Sequence, residues 1–146
     1  MEQGEAGQRR VHHLGIIVRD LEKAIALYRD GFGLSAGRRA TLADQGVKAA
    51  FLHLENASLE FIQPLDGASG VGRYLARRGE GLHHICLTAR TLRAEIADLE
   101  ARGVELIDHE PRPGLAGNIC FFHPRAHAGV LVELVEWPGG EANGRV

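Results

Sequence analysis

Apolar residues recur along this chain with two periods that alternate in a repeated order. From Val11 to Val18, Leu14, Ile16 and Val18 interleave with His13, Gly15 and Ile17, the period-two pattern of a strand. Beyond Asp20, a residue type that caps helix N-termini, Leu21, Ala24, Ile25 and Tyr28 follow helical spacing until Gly31 and Gly33 end it. Strand-like runs return at Ala36–Thr41, Val47–Leu54 and Ser58–Pro64. The last two flank Glu55-Asn56-Ala57, short and polar enough for a hairpin turn. A connector, residues 67–81, carries a short helical stretch at Val71–Arg78. The order then begins again: a strand at Leu82–Ala89, and a helix capped by Thr91, bearing Leu92, Ile96 and Leu99 and ended by Gly103. Strands follow at Val104–Asp108, Ile119–Phe122 and Gly129–Glu136.

The recurrence is an internal duplication. A shift of 71 positions lays Val11-His12-His13-Leu14 over Leu82-His83-His84-Ile85, and the register holds through Arg19 and Arg90, Leu21 and Leu92, and Ile25 and Ile96. Further on, Leu59-Glu60-Phe61-Ile62 matches Val132-Glu133-Leu134-Val135. Two copies cannot make a solenoid, which needs three or more units to bury a core. The expected fold is therefore α+β: two βαβββ modules side by side in a curved, incompletely closed eight-stranded sheet with the helices outside. The expected boundaries are a flexible tail over 1–10, a first module over 11–66, the connector over 67–81, a second module over 82–137, and a C-terminal tail over 138–146.

The bulk numbers narrow the class. At 146 residues and 45% hydrophobic, the chain suits one domain with a proper core. Lysine plus arginine total 17 against 19 aspartate plus glutamate, a balance that argues against nucleic acid or a membrane surface as partner and for a small molecule. The apolar runs are strand-length and no basic-then-apolar leader precedes them, so a cytoplasmic location is expected. Cys86 and Cys120 lie within apolar strand-like runs, as buried free thiols do, and are assigned no chemistry.

The chemistry follows from strand alternation. Neighbouring strand residues face opposite ways, so one histidine of each pair can reach a shared site. Ile85, Leu87 and Ala89 form a row suited to lie under a helix, which puts His84 on the concave face. The row Leu14, Ile16 and Val18 does the same for His13, with Gly15 leaving space beside it. Equally, Leu59 and Phe61 release Glu60 inward, and Val132 and Leu134 release Glu133. His12 and His83 then belong to the helix-facing rows. A glutamate within so apolar a strand is costly to bury unpaired. Two such glutamates matched by two histidines predict a His2Glu2 centre for one divalent metal, with cobalt, manganese, nickel and zinc all compatible. Arg73, Arg77 and Arg78 on the connector are candidates for phosphate contact or a solvated face.

Three groups of motifs extend this reading. The first is His12-His13-Leu14-Gly15-Ile16-Ile17-Val18 leading to Asp20-Leu21 and Tyr28, with Asp44-Gln45-Gly46-Val47 and Leu59-Glu60-Phe61-Ile62-Gln63-Pro64-Leu65. The second is Gly79-Glu80-Gly81-Leu82-His83-His84-Ile85 with Glu110-Pro111-Arg112. The third is Phe122-His123-Pro124-Arg125 with Gly129-Val130-Leu131-Val132-Glu133-Leu134. Together they resemble the vicinal oxygen chelate superfamily, the glyoxalase-like proteins, and within it the methylmalonyl-CoA epimerases most closely. The resemblance implies His13, Glu60, His84 and Glu133 as metal ligands and a homodimer. It also implies an acyl-CoA substrate whose C2 proton is removed and returned through an enolate, with Arg125 as a substrate-binding cation.

The chain departs from that family in three places. Some epimerases carry a base glutamate two residues beyond Gln-Gly-Val, where Ala49 stands here, so Glu133 is the candidate for a ligand that also moves the proton. The loop Gly114-Leu115-Ala116-Gly117-Asn118 is one residue short. Arg125 replaces a common lysine, exchanging a point cation for a planar fork. Glyoxalase I, a lactoylglutathione lyase, shares the His/Glu metal set and is the alternative enzyme. An extradiol dioxygenase uses two histidines and one carboxylate, against which Glu60 counts. A metal-free drug-binding module of the same fold has no use for four inward polar groups.

Overall fold

The computed structural model describes residues 9–137, so the expected tails lie outside the described residues except for Arg9 and Arg10. Those two do not behave as a tail. The Arg9 guanidinium donates to the Thr88 carbonyl and pairs with Glu95, and the Thr88 N–H donates to the Arg10 carbonyl at 3.0 Å.

The first half runs β1 (Val11–Ile17), α1 (Leu21–Phe32), β2 (Ser35–Leu42), β3 (Val47–His53) and β4 (Ser58–Pro64). The second, reached through α2 (Gly70–Arg78), runs β5 (Gly81–Ala89), α3 (Leu92–Ala101), β6 (Arg112–Pro113), β7 (Asn118–Phe122) and β8 (Val132–Glu136). Local chemistry sets the helix ends. The Asp20 carboxylate accepts the Lys23 N–H at 3.1 Å, and Gly33, at φ +68°, ends α1 in the left-handed region that favours glycine. Thr91 stands at the head of α3, but its hydroxyl makes no capping bond; the Glu136 carboxylate accepts the Leu92 N–H instead, at 3.3 Å.

Among the described residues, the eight strands form one sheet in the order β2-β3-β4-β1-β5-β8-β7-β6. Each half closes on itself by a parallel pair, β1 with β4 and β5 with β8, and the halves join through antiparallel β1 and β5. β2 and β6 remain as edges, so the curled sheet stays open. Alternation sorts the faces as expected. Val18, Leu59 and Phe61 pack under α1 with Leu21 and Ile25, and Ala89, Cys120 and Leu134 pack under α3 with Leu92 and Ile96. The opposite face carries Val47, Ala49, Phe51 and Ile62 in one half and Cys86, Ile119 and Val135 in the other.

Besides the start of β8 at Val132 rather than Gly129, two larger features differ from the sequence reading. Val104–Asp108 makes a single bridge, Leu106 to Phe122, and no strand. The Ile107 and Asp108 N–H groups both turn to the Phe121 carbonyl at 3.0 and 3.2 Å, and the Asp108 carboxylate accepts the Phe121 N–H at 2.8 Å. The segment thus folds over the end of β7, and Arg112–Pro113 takes the edge position. The second difference lies in the β1–β5 ladder. Val11 pairs with Leu87 and His13 with Cys86, which leaves His12 as an extra residue; Gly15 pairs with His84 and Ile16 with Leu82, which leaves His83 as another. Each leading histidine thus sits in a β-bulge, where alternation fails.

Candidate metal centre

His13 on β1, Glu60 on β4, His84 on β5 and Glu133 on β8 come from the four central strands of the sheet. The ladder sets them side by side: Glu60 is opposite Gly15, Gly15 is opposite His84, and Glu133 is opposite Cys86, itself the partner of His13. Their side chains converge. His13 Nε2 lies 3.1 Å from His84 Nε2, 3.6 Å from Glu133 Oε1 and 3.7 Å from Glu60 Oε2, while Glu133 Oε2 lies 3.3 Å from His84 Nε2. Ligands bonded at about 2.0–2.1 Å to a common ion stand about 3 Å apart when adjacent and about 4 Å apart when opposite. His13, His84 and Glu133 fit that geometry, and Glu60 stands beside His13 at 3.7 Å, outside that closest group.

Gly15 makes the convergence possible. A Cβ there would stand 2.6 Å from His84 Nε2, so the imidazole occupies the space that a side chain would take. The vacancy expected beside His13 belongs to the other half's histidine.

Electrostatics agree with ligation. Burial holds His13 well below the usual imidazole range and takes His84 down to about 3, so both rings are neutral, the ligating form. Burial raises Glu60 to about 8 and lifts Glu133 well above the usual carboxylate range, with the Glu60 charge adding to the latter. Among the described residues neither carboxylate has an ion pair with lysine or arginine. Two buried acids converging on two neutral imidazoles want a cation in common.

A second convergence, His12, His13 and Cys86, is a poorer site. It offers no carboxylate, and burial together with Glu133 drives the Cys86 thiol far above its ordinary range, away from the thiolate a metal needs. Burial likewise pushes Cys120 up to about 12, in keeping with two inert thiols.

The centre floors a cavity of about 430 Å³. One wall is apolar and includes Val47, Ala49, Ile62 and Leu115, so no carboxylate stands where the missing base was sought. The opposite side carries Arg112, held by Asp108 at 3.1 Å and stacked 5.3 Å from the Phe121 ring centre, and α2 contributes Tyr74 and Arg77. Of the connector arginines only Arg77 reaches the cavity wall; Arg78 lies over Tyr74 instead. Arg125 is not brought to the cavity wall. It stands on the Pro124–Ala126 turn with its side chain 73% exposed, and its guanidinium pairs with Glu105 at 2.8 Å. Arg112 was legible only as part of a motif, because its approach to the cavity depends on the turn that Asp108 builds.

His12 and His83 depart furthest from the sequence reading. Both bulges rotate them off the helix-facing rows. His12 packs edge-on to Phe51 and Trp137, and His83 lines the cavity against Tyr74.

Comparison with known proteins places this architecture. The Glyoxalase/Bleomycin resistance protein/Dioxygenase superfamily pattern matches residues 12–122. The chain is 38% identical to the protein YqjC of Bacillus subtilis (strain 168) over 135 residues, 92% of this chain and 96% of that one. It is 34% identical to the ethylmalonyl-CoA/methylmalonyl-CoA epimerase of Cereibacter sphaeroides over 128 residues, 86% and 96% of the respective lengths. A solved methylmalonyl-CoA epimerase in complex with methylmalonyl-CoA and ammonium superposes with a TM-score of 0.83 at 34% identity, covering 87% of this chain and 93% of that one. Through the duplicated βαβββ sheet and these matches, the chain belongs to the glyoxalase/bleomycin resistance protein/dioxygenase superfamily.

Proposed function

We propose that this chain is a metal-dependent isomerase that interconverts the C2 epimers of methylmalonyl-CoA. The observation that carries the reading is the His13, His84 and Glu133 cluster, with Glu60 beside His13, at the floor of a ligand-sized cavity, in a chain similar to epimerases over most of its length. A divalent cation held by those four residues, whether cobalt, manganese, nickel or zinc, supplies a Lewis acid for the thioester oxygen.

The chain's own residues do the rest. Glu133, held above the usual carboxylate range by burial, takes part in the proton transfer at C2, and delivery of a proton to the opposite face of the enolate inverts the centre. Arg112 and Arg77 present guanidinium groups to the anionic parts of the substrate. The apolar wall around Ala49 keeps water from the reacting carbon. The homodimer is part of the same proposal, and equilibrium sedimentation tests it.

Deuterium exchange at C2 of methylmalonyl-CoA, run beside the glutathione–methylglyoxal adduct with and without added cobalt, tests the reading. Cobalt-dependent exchange of the acyl-CoA is expected. Turnover of the adduct alone would make the chain a lactoylglutathione lyase, and absence of bound metal in protein purified without chelator would make it a binding module. Glu133→Gln should abolish exchange; exchange that persists in the metal-loaded variant removes Glu133 from the proton step.

A further inference from the structure

We propose that His12 and His83 are positioning residues that hold the two metal-ligand imidazoles, each through a hydrogen bond between Nδ1 atoms. The inference rests on the metal-centre reading and adds two residues to it.

The contact occurs twice with the same geometry. His12 Nδ1 lies 2.8 Å from His13 Nδ1, and His83 Nδ1 lies 2.9 Å from His84 Nδ1, with the rings at 83° and 84° to one another. In each pair the second histidine turns Nε2 to the centre and Nδ1 to its chain neighbour. A ligand must present a lone pair at Nε2, so its ring proton resides on Nδ1 and is donated to the unprotonated Nδ1 of the neighbour. Metal-ligating histidines commonly donate that second N–H to a carboxylate, a backbone carbonyl or water, which fixes tautomer and orientation. Here a second imidazole has that part in both halves.

The bulges explain why the backbone permits it. In a regular strand, adjacent side chains point to opposite faces and could not meet. His12 and His83 are the extra residues of the two β1–β5 bulges, which bring each beside its successor. Their outer contacts then hold them: Phe51 and Trp137 around His12, Tyr74 beside His83. The duplication has thus preserved a whole four-imidazole chain, with the metal position at its centre.

The test is made on the full chain with zinc as probe. In zinc-loaded protein labelled with nitrogen-15, scalar coupling across the hydrogen bond is expected between the Nδ1 atoms of His12 and His13 and between those of His83 and His84, with ligation at Nε2. Absence of both couplings, or ligation at Nδ1, overturns the proposal. By competition titration, His12→Phe and His83→Phe should each bind zinc about 10–100-fold more weakly. His12→Asn and His83→Asn, which keep a polar atom near the Nδ1 position, should recover most of that loss. Phenylalanine variants that fold and bind zinc as wild type does would also overturn it. Wild-type protein that binds no zinc refutes the metal centre itself, a failure distinct from lost coupling in a protein that does bind.

Discussion

Gly15→Ala should disable the proposed metal centre while leaving the fold in place. An added Cβ would stand 2.6 Å from His84 Nε2 and nearer still to Cε1 and Nδ1, whereas ordinary contact begins at 3.4 Å. The ring must therefore retreat by about 0.8 Å at Nε2, and by more at Cε1. Metal–ligand distances tolerate about 0.2 Å, so the displacement exceeds the tolerance several-fold and removes one of four ligands. Losing a supporting group alone costs about 10–100-fold in affinity; losing His84 should cost at least the upper end of that range. The strain on the packed sheet adds about 1–3 kcal/mol of destabilisation. Cobalt titration by calorimetry, with circular dichroism to confirm the fold, measures both effects. Gly31→Ala is the control: nothing lies within 4 Å of its added Cβ, and it sits in α1, where alanine should stabilise by roughly 0.5–1 kcal/mol. A folded Gly15→Ala protein that binds cobalt within about threefold of wild type would refute the claim that the His84 imidazole needs this glycine.

Two further outcomes are expected. Glu60 carries a proton in the metal-free fold up to about pH 8 against an ordinary value of 4.5, so its contribution to stability is fully present below 4.5 and is lost as pH rises through about 8. Metal-free protein should thus lose denaturation midpoint over that window while cobalt affinity climbs with proton release. A flat affinity profile across pH 5 to 8, on the order of the window named, would contradict the buried-acid assignment. Arg112→Gln should raise KM for the acyl-CoA by about tenfold or more, the value of a charge-assisted hydrogen bond, and Arg125→Gln should leave it near wild type. Equal effects from the two substitutions would show that the mouth of the cavity extends to the Pro124–Ala126 turn.

Much of the site could be read from local pattern because its residues lie on regular strands. The rows Leu14, Ile16 and Val18 and Leu59 and Phe61 do lie under α1, which sends His13 and Glu60 to the other face, and Leu87 and Leu134 do the same for His84 and Glu133. The helices were as legible, since Asp20 and Gly33 act within one turn of the residues they cap. The misses share a cause. Val104–Asp108 has strand composition, yet its Ile107 and Asp108 N–H groups both go to the Phe121 carbonyl, an acceptor more than ten residues away. Arg125, expected as a substrate cation, pairs with Glu105 away from the cavity wall, a contact that local pattern does not contain.

The duplication, the two βαβββ units and four inward polar residues are legible in local pattern, because alternation and helical spacing are properties of neighbouring residues. How those residues meet depends on strand pairing. Pairing β1 with β5 joins segments some 71 positions apart, and that pairing sets both bulges, lays the His84 ring over Gly15 and turns His12 and His83 toward the centre. A bulge is a mismatch between two strands, so neither strand's own pattern contains it.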